Sequence, residues 1–398
     1  MHLVETYSLS TGSKIKKPFI HKKFFPLPFE KYITIQNSSG MQGKCYDYFQ
    51  EVINFVYEDL EKAGYKIIQI GTKEDRALNN VFHLHGQTNI NQTAFILENS
   101  KLHIGNDSFA IHMCSAFDVP LIGLYSVSSP EIAGPFWKNK NQICLTPKNW
   151  KPSFNPNESP KRINEIKIES IIESIKVLLN INFSQNIETL FIGQRYGQIL
   201  LESIPSIILQ NNIFPEIPLN IRFDYIEQIE EKDYICTLNN LNIRKCTIIT
   251  DKVLEIEKLA QLKDKIINVF YDITFKNIDF DFINKVKLLG LKIDFIFNKS
   301  KNKDESILNN KKLELVEHQE IIHIVEDTQK PTEKIKESAF YKSKKIIFGN
   351  NNAYLSKAAY LENKPINLDK LDMAQKISDI NNVDLLIEED ADYGLFYK

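Results

Sequence analysis

Along the first 180 residues the apolar positions fall into two alternating patterns. Unbroken apolar runs at residues 32–36 (YITIQ), 66–70, 81–84 and 121–125 read as buried strands, as does a run that ends in Ile104 and Gly105. Between them, residues 46–63 place Tyr48, Val52, Val56 and Leu60 at helical spacing, and residues 91–99, 109–117 and 167–179 follow the same rhythm. A short helix is also predicted at residues 2–10. A polar excursion follows Trp137, punctuated by Pro147, Pro152, Pro156 and Pro160. Strands that are apolar throughout, separated by amphipathic helices, predict a parallel sheet covered on both faces, a Rossmann-like α/β unit.

Polar residues at 180–186 mark a boundary, so domains are expected at 1–182 and 187–398. Beyond the boundary the alternation starts afresh. Strands are predicted at 189–192, 219–223, 247–250, 266–270, 292–297, 321–325 and 345–348, and helices at 198–210, 253–262, 279–289 and 334–340. Gly193 and Gly197 make a glycine-bearing turn after the first of these strands. Residues 343–368 also echo residues 100–125: each has Ser-Lys, an apolar strand, Gly-Asn, a run of small residues and a proline before the next apolar segment. Two independent βαβ units and a decayed duplication account for the echo equally well.

Length and composition narrow the picture only in places. A chain of 398 residues fits two domains better than one, and 43% apolar with 25% charged residues is ordinary for a globular protein. A formal charge of −2 gives no global reason to expect nucleic acid or an anionic membrane as partner, and Lys299, Lys301 and Lys303 read as a solvated turn. The five cysteines are widely spaced without a CxxC pair, which argues against a disulfide framework or a zinc site. With no signal peptide or long apolar span in the sequence, a cytoplasmic location is expected.

The chemistry concentrates in residues 101–135. A strand runs into Asn106, Asp107 and Ser108, residue types that cap helices, and then into the helix at 109–117. The N–H groups at Ser108, Phe109 and Ala110 would face the carboxyl ends of the strands, where the helix dipole favours an anion such as a diphosphate. Asp107 and Ser108 serve equally well as plain caps, and Lys44 and Glu74 equally well as surface charges.

The array DSxxxHxxxAxxxPLIxLY, carried by Asp107, Ser108, His112, Ala116 and Pro120, resembles the nucleotide-sugar domain of the heptosyltransferase-type glycosyltransferases, family nine. Phe109 stands where that family has glycine. Weaker matches follow in family order: Lys44 with Tyr46, Gly71 with Glu74, the HGQTNINQTAFI segment, and Gly134-Pro135-Phe136. The likeness covers about residues 1–180. It implies a GT-B-like fold of two Rossmann-like domains and transfer of a sugar from a nucleotide diphosphate donor to a saccharide, glycolipid or other hydroxyl acceptor. In that reading the backbone at Ser108 and Phe109, with Lys44, holds the diphosphate. Asp107 and His112 lie beside it, and Glu74 reaches the ribose or base. No tightly bound metal or cofactor is implied. Nucleic acid is a less favoured acceptor, and a homo-oligomer is compatible with the sequence.

In the family an acceptor-binding half precedes this domain and supplies the catalytic base, whereas MHLVETY resembles the helix that links the two halves. Residues 187–398 are therefore expected to take over that role in a permuted arrangement. Glu202, Asp251 and Asp272 are candidate bases among which the sequence does not choose. The alternative is a noncatalytic sugar-nucleotide-binding or assembly protein of the same ancestry, to which Phe109 in the glycine position also points.

Overall fold

A computed structural model describes the chain except residues 159–160, 185–186, 192–198, 208–216, 242–243, 300, 319, 321, 326–334, 344, 350, 369–373, 385, 387–393 and 398. The chain forms two compact units, Met1–Phe191 with Phe396–Lys398, and Ile192–Leu395. The predicted glycine turn at Gly193 and Gly197 lies outside the described residues.

The first unit contains α1 (Leu3–Thr11), β1 (Tyr32–Gln36), α2 (Phe49–Lys62), β2 (Lys66–Gln69), β3 (Phe82–His83), α3 (Ile90–Glu98), β4 (His103–Asn106), α4 (Phe109–Phe117), β5 (Leu121–Leu124), α5 (Pro130–Ala133), β6 (Gln142–Leu145), α6 (Ile168–Leu179) and β7 (Glu188–Phe191). Six of its strands form one sheet in the order β3-β2-β1-β4-β5-β6. Every neighbouring pair is parallel. Helices α3 and α4 pack together over one face, where Ile96, Leu97, Ala110, Ile111 and Cys114 close on Tyr32, Ile68 and Leu121. Helices α2 and α6 contact each other and the sheet, burying Val52, Val56 and Leu60 with Ile171 and Ile175. With both faces covered, β1 and β4 are buried at every position, and polar side chains among them, such as Thr34, His103 and Asn106, find hydrogen-bond partners inside the unit. Strand β6, inside the stretch read as a polar excursion, adds a sixth strand through the short run QICL.

The second unit continues with β8 (Leu200–Ser203), β9 (Leu219–Arg222), α7 (Glu231–Leu241), β10 (Cys246–Thr250), α8 (Ile256–Leu262), β11 (Ile266–Asp272), α9 (Phe280–Leu288), β12 (Ile293–Asn298), α10 (Glu305–Glu317), β13 (Ile322–Val325), β14 (Phe340–Lys342), β15 (Lys345–Gly349), β16 (Asn352–Tyr354), α11 (Lys357–Leu361) and β17 (Gln375–Lys376). Its main sheet has the order β13-β12-β11-β10-β9-β8-β15-β16. All pairs are parallel except β15 with β16. The expectation of two α/β units built on mainly parallel sheets is met.

Three expectations fail here. The helix predicted at 198–210 is strand β8 across residues 200–203, because its apolar run is taken between β9 and β15 as a central strand. Residues 335–339 are not helical and lead into β14. The echo of the earlier unit is one of sequence only. After β15, Asn351 adopts φ 60° and turns the chain into the antiparallel β16, so the helix that follows, capped by the Ser356 side chain, does not start where α4 does.

Candidate functional site

The carboxyl ends of β1, β4 and β5 gather the predicted residues. Ser108 is the N-cap of α4, with extended backbone (φ −152°, ψ 175°), and its side chain makes no capping hydrogen bond. The amides of the first turn of this nine-residue helix are thus left without a side-chain acceptor, a natural seat for an anion. Asp107 does not cap the helix. Its carboxylate, 5% exposed, accepts from Lys44 Nζ at 2.5 Å and from the Ser128 hydroxyl. His112, one turn into the helix, places Nε2 4.0 Å from the other oxygen of Asp107. Burial pushes the imidazole below its usual range, an effect opposed by the Asp107 carboxylate and reinforced by His2 and Lys44. Phe109, in the family's glycine position, stands 38% exposed at the edge of the turn.

Lys44 sits on a 3-10 turn, Gln42–Lys44, which is held from below. The Gly43 amide donates to Pro156 O at 2.8 Å, and a Cβ at Gly43 would meet that oxygen at 2.9 Å and Asn155 O at 3.1 Å. Next along the chain, Lys161 Nζ donates to Cys45 O at 2.8 Å and to the Asp47 carboxylate. Asn164 receives the Asp47 amide at 2.9 Å and returns a hydrogen bond to its side chain at 2.8 Å. The proline-rich segment is therefore the cradle of the lysine turn. Tyr46 N–H donates to Asn106 Oδ1 at 3.1 Å, fixing the turn to the end of β4. The Asn106 Nδ2 group, fully buried, has no partner among the described residues.

Glu74 is not part of this constellation. Its side chain is 67% exposed and lies 3.7 Å from Lys73. The neighbouring Asp75 organises that loop instead: it accepts from Ser38 Oγ at 2.5 Å and from Thr72 N and Oγ1 at 2.9 Å each. Gly71 has φ 149°, and a Cβ there would fall 1.9 Å from the Asp75 carboxylate. At the far edge, His2 anchors α1. Its Nδ1 accepts from Val4 N, so Nε2 carries the proton and donates to Gly134 O at 3.0 Å, and the ring lies 4.9 Å from Phe136.

Ser128 and Asp75 were not among the residues singled out from the sequence. For Ser128 a signal existed, since YSVSSP directly follows β5 and so must lie on the same rim of the sheet as Asp107. Of the candidate bases in the second unit, Glu202 is 1% exposed, with one oxygen on Arg222 at 2.5 Å and the other on Tyr225 at 3.2 Å, so it is not free to meet an acceptor. Asp272 Oδ1 accepts from Thr274 N at 2.9 Å. Among the described residues no group of three or more His, Cys, Asp or Glu is placed to hold a metal ion, and no helix is long and apolar enough to cross a membrane.

Two curated relatives are lipopolysaccharide heptosyltransferase 2 of Salmonella typhimurium, 27% identical over 109 residues, and its Escherichia coli K12 counterpart, 26% identical over 109 residues. Each match covers 23% of this chain, which spans about a third (31%) of the relative's length. Among solved structures, the E. coli ADP-heptose lipopolysaccharide heptosyltransferase II is 18% identical over 44% of this chain and 51% of that one, with a TM-score of 0.32. A family 9 glycosyltransferase from Veillonella parvula is 20% identical over 44% and 50%, also with a TM-score of 0.32. Residues 4–163, the part of the chain that builds this site, match the family model of glycosyltransferase family 9 (heptosyltransferase).

Proposed function

We propose that this chain is a glycosyltransferase that moves a sugar from a nucleotide diphosphate donor to a hydroxyl acceptor, with the first unit holding the donor. The observation that carries the reading is the meeting of a lysine and an uncapped helix start at the carboxyl ends of the strands, within residues that match a transferase family. In such a reaction the bond between the anomeric carbon and the diphosphate breaks as the acceptor oxygen bonds to that carbon. Negative charge grows on the departing phosphate, and fixed amides with a nearby ammonium stabilise it. The amides at Phe109 and Ala110 and the Lys44 ammonium serve that purpose, while Asp107, itself held by a hydrogen bond from the Ser128 hydroxyl, keeps the ammonium in place before the donor arrives. The acceptor proton passes to a base that we leave unassigned.

Asp107 is given the role of a positioning residue, and His112, half exposed beside it, that of a second contact to the phosphates. Glu74 keeps a place in the proposal only as a reach from the exposed loop toward the base or ribose. The curated relatives are named for heptosyl transfer, which puts ADP-heptose first in a panel of nucleotide sugars. The test is a thermal shift against that panel together with slow release of nucleoside diphosphate. Stabilisation with release is expected, and Lys44→Ala or His112→Ala should weaken ligand affinity at least tenfold. Unchanged affinity in both variants defeats the assignment, and stabilisation without release in any acceptor mixture leaves a binding protein in its place.

A further inference from the structure

The net charge of −2 conceals a local concentration of cations in the first unit. Residues 12–29, between α1 and β1, contain five lysines, Lys14, Lys16, Lys17, Lys22 and Lys23, and no acidic residue. Apolar side chains are set among them, with Ile15, Phe19 and Phe24 39%, 90% and 70% exposed. A helix would sort these residues onto separate faces, but none forms. Gly12 ends α1 in the left-handed region (φ 68°), and residues 13–27 run on without regular secondary structure.

This strap is nonetheless pinned to the helices beneath it. Lys17 Nζ pairs with Asp118 at the end of α4, and Lys22 Nζ with Glu98 at the end of α3 at 2.6 Å, while lying 5.7 Å from the Phe117 ring centre. Lys23 N–H donates to Asn91 O at 3.0 Å, and the Phe24 ring meets Phe95 edge-on at 5.2 Å. Phe25, Leu27 and Phe29 then turn in toward the core. The anchors use two of the five ammoniums. Lys14, Lys16 and Lys23 stay exposed and form no ion pair among the described residues.

The strap also has a defined place on the sheet. Asp118 leads into β5 and Glu98 into the turn before β4, so both pins lie on the rim where the chain enters the strands, opposite Lys44 and Asp107. Lys101 and Lys140, exposed just before β4 and β6, add cations to the same rim.

What such a surface fits follows from its chemistry. Ammoniums strung along an extended backbone, with no arginine fork, do not select one small anion; they suit a surface that carries many negative charges. The apolar residues narrow the choice between a lipid surface and a nucleic acid. An aliphatic side chain such as Ile15 gains nothing along a phosphate backbone, whereas Ile15 and Phe19 set between lysines gain by entering the boundary between headgroups and acyl chains.

We propose that residues 14–24 form a docking surface for an anionic lipid bilayer. The proposal does not rest on the transfer reaction, because the donor constellation lies on the opposite rim and need not be occupied for docking.

The experiment is co-sedimentation of the full chain with vesicles of phosphatidylcholine, with and without phosphatidylglycerol, at low and high salt. Binding at low salt should be at least tenfold tighter to the phosphatidylglycerol vesicles and should weaken at least tenfold at high salt. Lys16→Glu with Lys23→Glu should weaken it at least tenfold, and Phe19→Ser at least threefold with no change in charge. These side chains are exposed, so the variants should unfold at the parent's temperature. The matched reversal Lys148→Glu with Lys151→Glu, in the loop after β6 and so on the opposite rim, should change binding less than twofold. The proposal is overturned if the two kinds of vesicle bind alike, if binding survives high salt, if both double reversals weaken it equally, if Phe19→Ser binds as the parent does, or if a single-stranded oligonucleotide binds more tightly than the anionic lipid.

Discussion

Lys44 and Asp107, 63 residues apart in the chain, meet at 2.5 Å with side chains 17% and 5% exposed. One comes from a turn after β1 and the other from the end of β4, which pair in parallel as neighbours in the sheet, so the contact exists only once the fold does. A pair this enclosed is costly to break, because removing the cation leaves a buried carboxylate with the Ser128 hydroxyl and His112 4.0 Å away but no close cation.

Lys44→Met should therefore destabilise the chain by about 3 kcal/mol. The double variant Lys44→Met with Asp107→Asn should recover much of that loss, since it removes both charges. Urea unfolding of the two singles and the double gives the coupling energy directly. Additive losses would show that the ion pair contributes nothing as a pair.

A second prediction concerns acid. His103 on β4 is fully buried, shares a hydrogen bond of 3.0 Å between Nδ1 and Thr34 Oγ1, and has no partner for Nε2 among the described residues. Burial pushes its pKa down from 6.5 to about 3. The folded imidazole stays neutral while the unfolded one takes up a proton, so the stability it contributes is complete above pH 6.5 and is lost as the pH falls toward 3. Between those limits the slope should be about 1.4 kcal/mol per pH unit steeper than in His103→Asn, whose amide can keep the contact to Thr34. Parallel stability profiles of parent and variant over that window would contradict it.

Gly71 offers a backbone test. At φ 149° an L side chain is strained, and its Cβ would collide with the Asp75 carboxylate. Gly71→Ala should cost about 1–3 kcal/mol. On an Asp75→Ala background, which already lacks the hydrogen bonds from Ser38 and Thr72, Gly71→Ala should cost less in thermal unfolding than it does in the parent, because the collision is gone and only the backbone strain remains.

In the second unit, Arg222 is gripped by Asp224 at 2.9 and 2.6 Å and by Glu202 at 2.5 Å, and its guanidinium lies 3.9 Å from the Tyr225 ring centre. The flanking carboxylates hold its pKa well above the usual value despite burial. Arg222→Ala should lose about 3–5 kcal/mol, and Arg222→Lys should recover little, because an ammonium cannot reproduce the planar two-point grip on Asp224. A loss under 1 kcal/mol in Arg222→Ala would show the cluster to be neutral in energy.

How far these features could be read from the sequence depended on how local their causes are. Helix α4 was legible to the residue, because Asn106-Asp107-Ser108 and the turn at Asp118, which takes φ 62°, mark its two ends. Strand β8 was misread as a helix because Leu200, Leu201, Ile204 and Ile207 also satisfy a helical spacing, and only pairing with β9 and β15 decides between the two. Helix α10 escaped notice since its buried face consists of Leu308, Lys311 and Leu315, with a lysine in the middle that donates to Lys276 O at 2.6 Å. At the candidate site the residue types were visible and their partners were not. Nothing near Asp107 in the chain announces Lys44, and nothing in a proline-rich excursion announces that it carries the lysine turn.

The six-stranded sheet of the first unit runs one way throughout, so its loops divide into two populations with different freedoms. Those entering the strands, such as Ala63-Gly64-Tyr65 before β2 and Asp118-Val119-Pro120 before β5, open on the rim opposite Lys44 and Asp107. A fluorophore or affinity handle grafted at Lys62, 71% exposed at the end of α2, would sit about a strand's length from the chemistry, and an immobilised or labelled protein made that way should keep its ligand response.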